Sequence, residues 1–182
     1  MIKAETKPVV LLFGPSGAGK STLATWLVGD LNMTHINFDD WDHLGIDGQP
    51  IKRDFETFMK TYKGRLLRSD VMAIMSREHT KGAVLTFPSD IVPTIANLKE
   101  AQEESMTPII LFGPKEDCYQ AFLSQNQSSI DPLPPDNWPR HNAAAFKAYV
   151  GKDYLPFEEI VFPRRTMENL IKAVEDRIEA LV

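Results

Sequence analysis

Gly14-Pro15-Ser16-Gly17-Ala18-Gly19-Lys20-Ser21 reads G-x-x-x-x-G-K-S, directly after an apolar run, Val9-Val10-Leu11-Leu12-Phe13. A backbone that curls around a phosphate with successive N–H groups turned inward needs glycine where a side chain would block the turn or the ligand's approach. Lys20 then reaches the β- and γ-phosphates of a nucleoside triphosphate, and the Ser21 hydroxyl is placed to ligate Mg²⁺. The helix that starts here adds the partial positive charge of its N-terminus. Gly14 to Thr22 therefore reads as a binding loop for a nucleoside triphosphate and its Mg²⁺, with Pro15, Ser16, Ala18 and Thr22 completing its backbone.

A second group of polar residues follows the next apolar run. Phe38-Asp39-Asp40-Trp41-Asp42 places three carboxylates in four positions. At the end of a strand across from the phosphates, Asp39 or Asp40 could accept a proton from an attacking hydroxyl, and Asp39 could hold Mg²⁺. Asp90, after Leu85-Thr86-Phe87-Pro88-Ser89, stands several residues late for the magnesium acid that often ends another core strand. It reads first as the N-cap of the following helix. Arginine suits a moving phosphoryl group because its planar fork stays charged. Arg140 lies at the end of a proline-rich stretch, and Arg164 and Arg165 follow the last apolar run. Arg53, Arg65, Arg68 and Arg77 are weaker candidates for contact with an acceptor. The four histidines have no zinc spacing, so the residues support no metal other than Mg²⁺.

The elements that must carry these residues alternate. Strands are expected over Pro8 to Phe13, Thr34 to Phe38, Gly82 to Phe87, Pro108 to Phe112 and Ile160 to Phe162. Helical spacing covers Lys20 to Leu31, with Leu23, Trp26 and Leu27 inward, and about Asp54 to Arg77, where Gly64 could kink or divide it. Further helices are expected from Ile91, over Glu116 to Gln125, and after Thr166, which would cap the last one. Strands apolar on both faces and alternating with helices imply a parallel sheet covered on each side. The fold class is thus α/β, a three-layer P-loop NTPase fold with a central parallel five-stranded sheet. Ligands in such sheets bind outside the carboxyl ends of the strands. The stretch from about 126 to 142 has four prolines and no periodicity, and reads as a lid-like insertion.

With 182 residues, 43% of them hydrophobic, the chain suits a single domain spanning 1–182. A net charge of −5 argues against a general nucleic-acid or membrane-surface binder. Cys118 is the single cysteine, so no internal disulfide forms, and it reads as a core residue. No run approaches the roughly 18 apolar residues of a membrane helix. A cytoplasmic protein with a small-molecule acceptor is the expectation.

These residues resemble the small P-loop kinases of the nucleoside-monophosphate-kinase-like superfamily, with shikimate kinase, gluconate kinase and chloramphenicol phosphotransferase as nearer likenesses. The resemblance is carried by Gly14 to Thr22, Phe38-Asp39-Asp40, the apolar third strand and Arg140 in its lid-like segment. It implies that Asp39 handles the acceptor hydroxyl, that Arg140 contacts the phosphates, and that the region of Arg164 to Thr166 packs on the adenine. Two departures bear on the acceptor. The D-x-D of shikimate kinase is not reproduced, because Trp41 stands two places after Asp39, and its triple-glycine turn is replaced by Pro88-Ser89-Asp90. A single lid arginine also disfavours a nucleotide acceptor. The resemblance implies an ATP-dependent phosphotransferase acting on a hydroxyl of a small metabolite, sugar or antibiotic. Its rivals are a nucleoside monophosphate kinase and a non-catalytic ATP-binding module that regulates a partner.

Overall fold

In a computed structural model that describes residues 7–38, 44–129, 132, 134–160 and 167–180, five parallel strands form one sheet. They are β1 (Val9–Phe13), β2 (Met33–Asn37), β3 (Gly82–Thr86), β4 (Thr107–Phe112) and β5 (Glu158–Ile160), ordered β2-β3-β1-β4-β5. The helices are α1 (Lys20–Leu31), α2 (Ile51–Thr61), α3 (Arg65–Glu78), α4 (Ile95–Glu103), α5 (Lys115–Asn126), α6 (Trp138–Ala148) and α7 (Met167–Glu179). This is the expected three-layer α/β arrangement.

β1 is central and wholly buried, pairing with β3 through Val10↔Val84 and with β4 through Val10↔Thr107. Its side chains alternate between the two layers, as the pleat requires. Val9, Leu11 and Phe13 join a core with α2, α3 and α4, where Phe13 and Phe87 stack at 4.5 Å and Phe55 stacks on Phe87 at 4.6 Å. Val10 and Leu12 face the opposite layer with α1, Trp138 and α7. α1 buries Leu23, Ala24 and Leu27, so Trp26 is exposed rather than inward.

Several boundaries differ from the sequence reading, each for a local reason. The helical pattern expected from Asp54 to Arg77 is two helices: Tyr62 takes a left-handed conformation, φ 56°, and ends α2, and Gly64 starts α3. The helix expected from Ile91 begins at Ile95. Thr94 is its N-cap in a reciprocal box with Asn97, so Asp90 is not the cap. Asn97 also donates to Phe58 O at 3.1 Å, which ties α4 to α2 and makes that register the more favourable one. The proline-rich stretch gives way at Trp138 to α6, which the sequence reading did not anticipate. Pro139 is compatible with it because it falls in the first turn, where no N–H is needed. The N-cap expected at Thr166, and Val161 and Phe162 of the expected last strand, lie outside the described residues.

α2 and α3 are joined by a buried acid pair. Asp70 is fully buried and accepts a hydrogen bond from Ile46 N–H at 2.8 Å through Oδ1. Its Oδ2 has no donor among the described residues, and the buried Asp54 carboxylate beside it can satisfy it only by sharing a proton. Burial, and then Asp54, push Asp70 up to about 6 from 3.8. The folded protein therefore holds more protons than the unfolded chain between about pH 4 and 6, so stability is greatest at the acid end of that window and falls as pH rises through it. Asp70→Asn is expected to remove that fall, of roughly 2–3 kcal/mol at about 1.4 kcal/mol per unit. Urea midpoints at pH 4.5 and 7 for both proteins test this; identical pH dependence in the two would exclude a shared proton.

Candidate active site

β1 ends inside the core at Phe13, and the loop that follows turns back sharply into α1. The turn needs glycine for reasons of conformation and of space. Gly14, Gly17 and Gly19 have φ of 140°, 88° and 90°. A Cβ on Gly14 would stand 2.2 Å from Leu111 O in β4, and one on Gly17 would stand 1.9 Å from Cys118 O in α5. A Cβ on Gly19 would meet nothing within 4 Å, so there the backbone conformation alone imposes the choice. At two positions the glycines thus admit neighbouring backbone, a role distinct from making room for a ligand.

Gly19 is the N-cap of α1 in a left-handed conformation, with no side-chain cap and no acidic residue in the first turn. Nothing from a side chain therefore neutralises the N-terminal dipole where it meets the loop, the arrangement that favours an anion. Lys20 Nζ donates to Gly14 O at 2.7 Å and to Pro15 O at 3.1 Å, placing its charge across the mouth of the loop. Ser21 and Thr22 are exposed on the same rim.

A second element completes the loop. Ser16 donates its N–H to Asn142 Oδ1 at 2.7 Å, and its carbonyl accepts from Trp138 Nε1 at 3.3 Å. Both partners belong to α6. The inward set of amides expected over 14–22 therefore does not include that of Ser16.

Between these parts lies a cavity of about 550 Å³ at the carboxyl ends of the strands. One wall is the loop from Gly17 to Thr22. Facing it are Phe87, Pro88, Ser89 and Asp90 after β3, and its side is closed by Phe122 and Gln125 of α5 and by Trp138, His141 and Asn142 of α6. Freed from helix capping, Asp90 is an exposed carboxylate on this wall. At the end of β3, where an acid was sought, stands Thr86. It is buried, donates to Asn37 Oδ1 at 3.3 Å and pairs with His35 Nε2 at 2.9 Å.

The other candidates divide. Asp39, Asp40, Arg164 and Arg165 lie outside the described residues. Arg140 is exposed on α6 and does not line the cavity, whereas its neighbour His141 does. Arg53 pairs with Asp47 at 2.7 Å and with Asp54 at 3.3 Å. Arg65 and Arg68 line a separate pocket with Glu104, the C-cap of α4. Because α4 returns antiparallel to the strands, that end of it lies at the sheet edge remote from the loop. Arg77 donates to Leu44 O. Cys118 is buried in the core, and its thiol is pushed up to about 11 by burial and then by Asp117, so it stays protonated and is no nucleophile. No group of three or more His, Cys, Asp or Glu side chains able to hold a metal occurs among the described residues. A Mg²⁺ carried by a nucleotide would take most of its ligands from phosphates and water and need one or two protein oxygens, for which the exposed Ser21 hydroxyl on the rim is a candidate.

The sequence reading missed Phe122, Gln125, Trp138 and Asn142. Their one visible signal was the spacing of Trp138, Asn142, Ala145 and Tyr149, all buried in the structure, at i, i+4, i+7 and i+11.

The strand order, the glycine loop and the cavity together define a P-loop kinase fold of the nucleoside-monophosphate-kinase-like type. Solved structures agree. A sugar kinase from Janibacter sp. superposes with a TM-score of 0.54 at 15% identity, covering 97% of this chain and 98% of its own. Shikimate kinase from Acinetobacter baumannii gives 0.52 at 16%, covering 97% and 95%, and a gluconokinase from Sinorhizobium meliloti gives 0.51 at 12%, covering 97% and 94%. No family model and no curated protein matches the sequence. Among the described residues no helix is long and apolar enough to cross a membrane.

Replacement of the loop glycines should separate space from conformation. Gly17→Ala, which collides with the α5 backbone, is expected to lower the melting temperature well beyond Gly19→Ala, which bears only the roughly 1–2 kcal/mol of a left-handed alanine. Thermal unfolding of both decides it; equal losses would mean that α5 yields.

Proposed function

We propose that the protein is an ATP- and Mg²⁺-dependent phosphotransferase that moves the γ-phosphoryl group to a hydroxyl of a small metabolite, sugar or antibiotic. The observation that supports this most directly is the cavity itself. A phosphate loop with Lys20 and Ser21 forms one wall, the Pro88-Ser89-Asp90 turn faces it, and the space of about 550 Å³ suits phosphates together with a compact acceptor.

In this reading the acceptor oxygen attacks the γ-phosphorus in line, the bond to the β–γ bridging oxygen breaks, and ADP leaves with that electron pair. Lys20 and the amides at the start of α1 hold the charge that spreads over the transferring oxygens. Bound Mg²⁺ would neutralise the phosphates and would be held by Ser21 and Asp39. The hydroxyl proton passes to a carboxylate, Asp39 or Asp40, with Asp90 the acid that the cavity adds to the candidates. Arg140 would serve the phosphates by extending its long side chain from the exposed face of α6, and Arg164 and Arg165 would lie by the adenine. A cytoplasmic setting accords with this chemistry.

The test is ADP release from MgATP with a panel of sugars, sugar acids, aminoglycoside and phenicol antibiotics and nucleoside monophosphates. One acceptor class should stimulate release, and Lys20→Ala should lower the stimulated rate at least 100-fold with the fold retained. Stimulation by AMP, CMP, UMP or GMP would indicate a nucleoside monophosphate kinase instead. Tight MgATP binding without stimulation by anything would indicate a regulatory module. With an acceptor in hand, Asp39→Asn, Asp40→Asn and Asp90→Asn identify the base as the one that lowers kcat far more than it weakens ATP binding.

A further inference from the structure

The contact between α6 and Ser16 joins residues more than a hundred positions apart in the chain and engages both backbone polar groups of one residue. Accepting the nucleotide site proposed above, we propose that Asn142 and Trp138 are positioning residues of the phosphate loop, holding it in its phosphate-ready form before any ligand arrives.

Ser16 lies between Pro15, whose carbonyl already accepts from Ala18 N–H at 3.2 Å and Lys20 Nζ at 3.1 Å, and Gly17, a residue with few conformational restraints of its own. Left alone, the Ser16–Gly17 unit would sample several orientations and would have to be ordered when phosphate binds. α6 removes that freedom. Asn142 is 1% exposed and donates from Nδ2 to Trp138 O at 2.8 Å, so its Oδ1 must point to the Ser16 N–H at 2.7 Å. A flipped amide would oppose donor to donor and acceptor to acceptor, so the pair of bonds fixes its orientation. Trp138 is itself immobilised by Tyr119, Phe122 and Phe146, with ring centroids at 5.0, 6.3 and 5.6 Å. The indole N–H is thereby delivered to Ser16 O from a packed aromatic wall. Both groups of Ser16 face α6, which leaves the amides of Gly19 and the start of α1, with Lys20, to face the cavity.

A rigid loop favours every ligand that fills it with phosphate, whatever is attached. Asn142→Leu is expected to weaken MgADP and magnesium tripolyphosphate by the same factor, about 10-fold, in calorimetry well below the variant's melting temperature. Trp138→Phe keeps the ring packing and removes only the N–H, and is expected to weaken both about 3-fold; it carries the test if Asn142→Leu does not fold. In the kinase assay the acceptor KM should stay unchanged while that for MgATP rises. Folded variants that bind both ligands as tightly as the parent would overturn the positioning role and leave the nucleotide site standing. A loss for MgADP alone, without one for tripolyphosphate, would also overturn it, by moving the effect to the nucleoside. A parent protein that binds neither ligand would overturn the nucleotide site, and the positioning role with it.

Discussion

The cavity depends on how closely three stretches of backbone approach one another at the end of β1. Two carbonyls, Leu111 O in β4 and Cys118 O in α5, sit where a Cβ on Gly14 or Gly17 would be. Contact this close turns the loop's path into a property of the sheet and of α5, since neither can shift without opening a void in a close-packed interior. The buried β1 fixes where the loop starts, α1 fixes where it ends, and the contact at Gly17 fixes its height over the sheet. Lys20 and the open end of α1 then converge on one volume because they have no other direction to take.

Against that rigid wall the rest of the cavity is built from adaptable parts. Phe87 to Asp90 form a turn, α5 offers one aromatic and one amide, and α6 contributes the His141 imidazole, whereas its Trp138 and Asn142 belong with the loop they hold. The division matches the chemistry of group transfer: the donor's phosphates are common to many reactions and suit a fixed site, whereas the acceptor varies and suits side chains that can change without disturbing the sheet. Three solved kinases share this architecture at 12–16% identity.

How far the sequence could be read follows from where each decision is made. α1 runs over the expected Lys20–Leu31 because its start is set by a glycine turn and its end by local stereochemistry at Asn32, φ 51°. The break near Gly64 was visible for the same reason. Asp90 was a fair cap as a local choice, but the helix starts later, at Thr94, where a tertiary bond from Asn97 to Phe58 favours it. α6 was hidden by Pro139 and the prolines that precede it, and its contact with the loop is invisible in one dimension, since the partner of Asn142 is a backbone N–H at Ser16. Of the cavity's lining, the half made by consecutive residues, Gly19 to Thr22, was legible. The half assembled across layers, Phe122, Gln125, Trp138 and Asn142, was not.

The sheet order carries a consequence for how the molecule is made. β1 is made before both strands it pairs with, so its two edges are filled only when β3 and then β4 have followed it. Its Val-Val-Leu-Leu-Phe is uncharged and rich in β-forming residues, the composition that pairs with the wrong strand if left waiting. A nascent chain thus carries this segment with an open edge until β4 is complete, so its shielding by chaperones or by transient collapse onto α1 bears on yield alongside the stability of the finished fold.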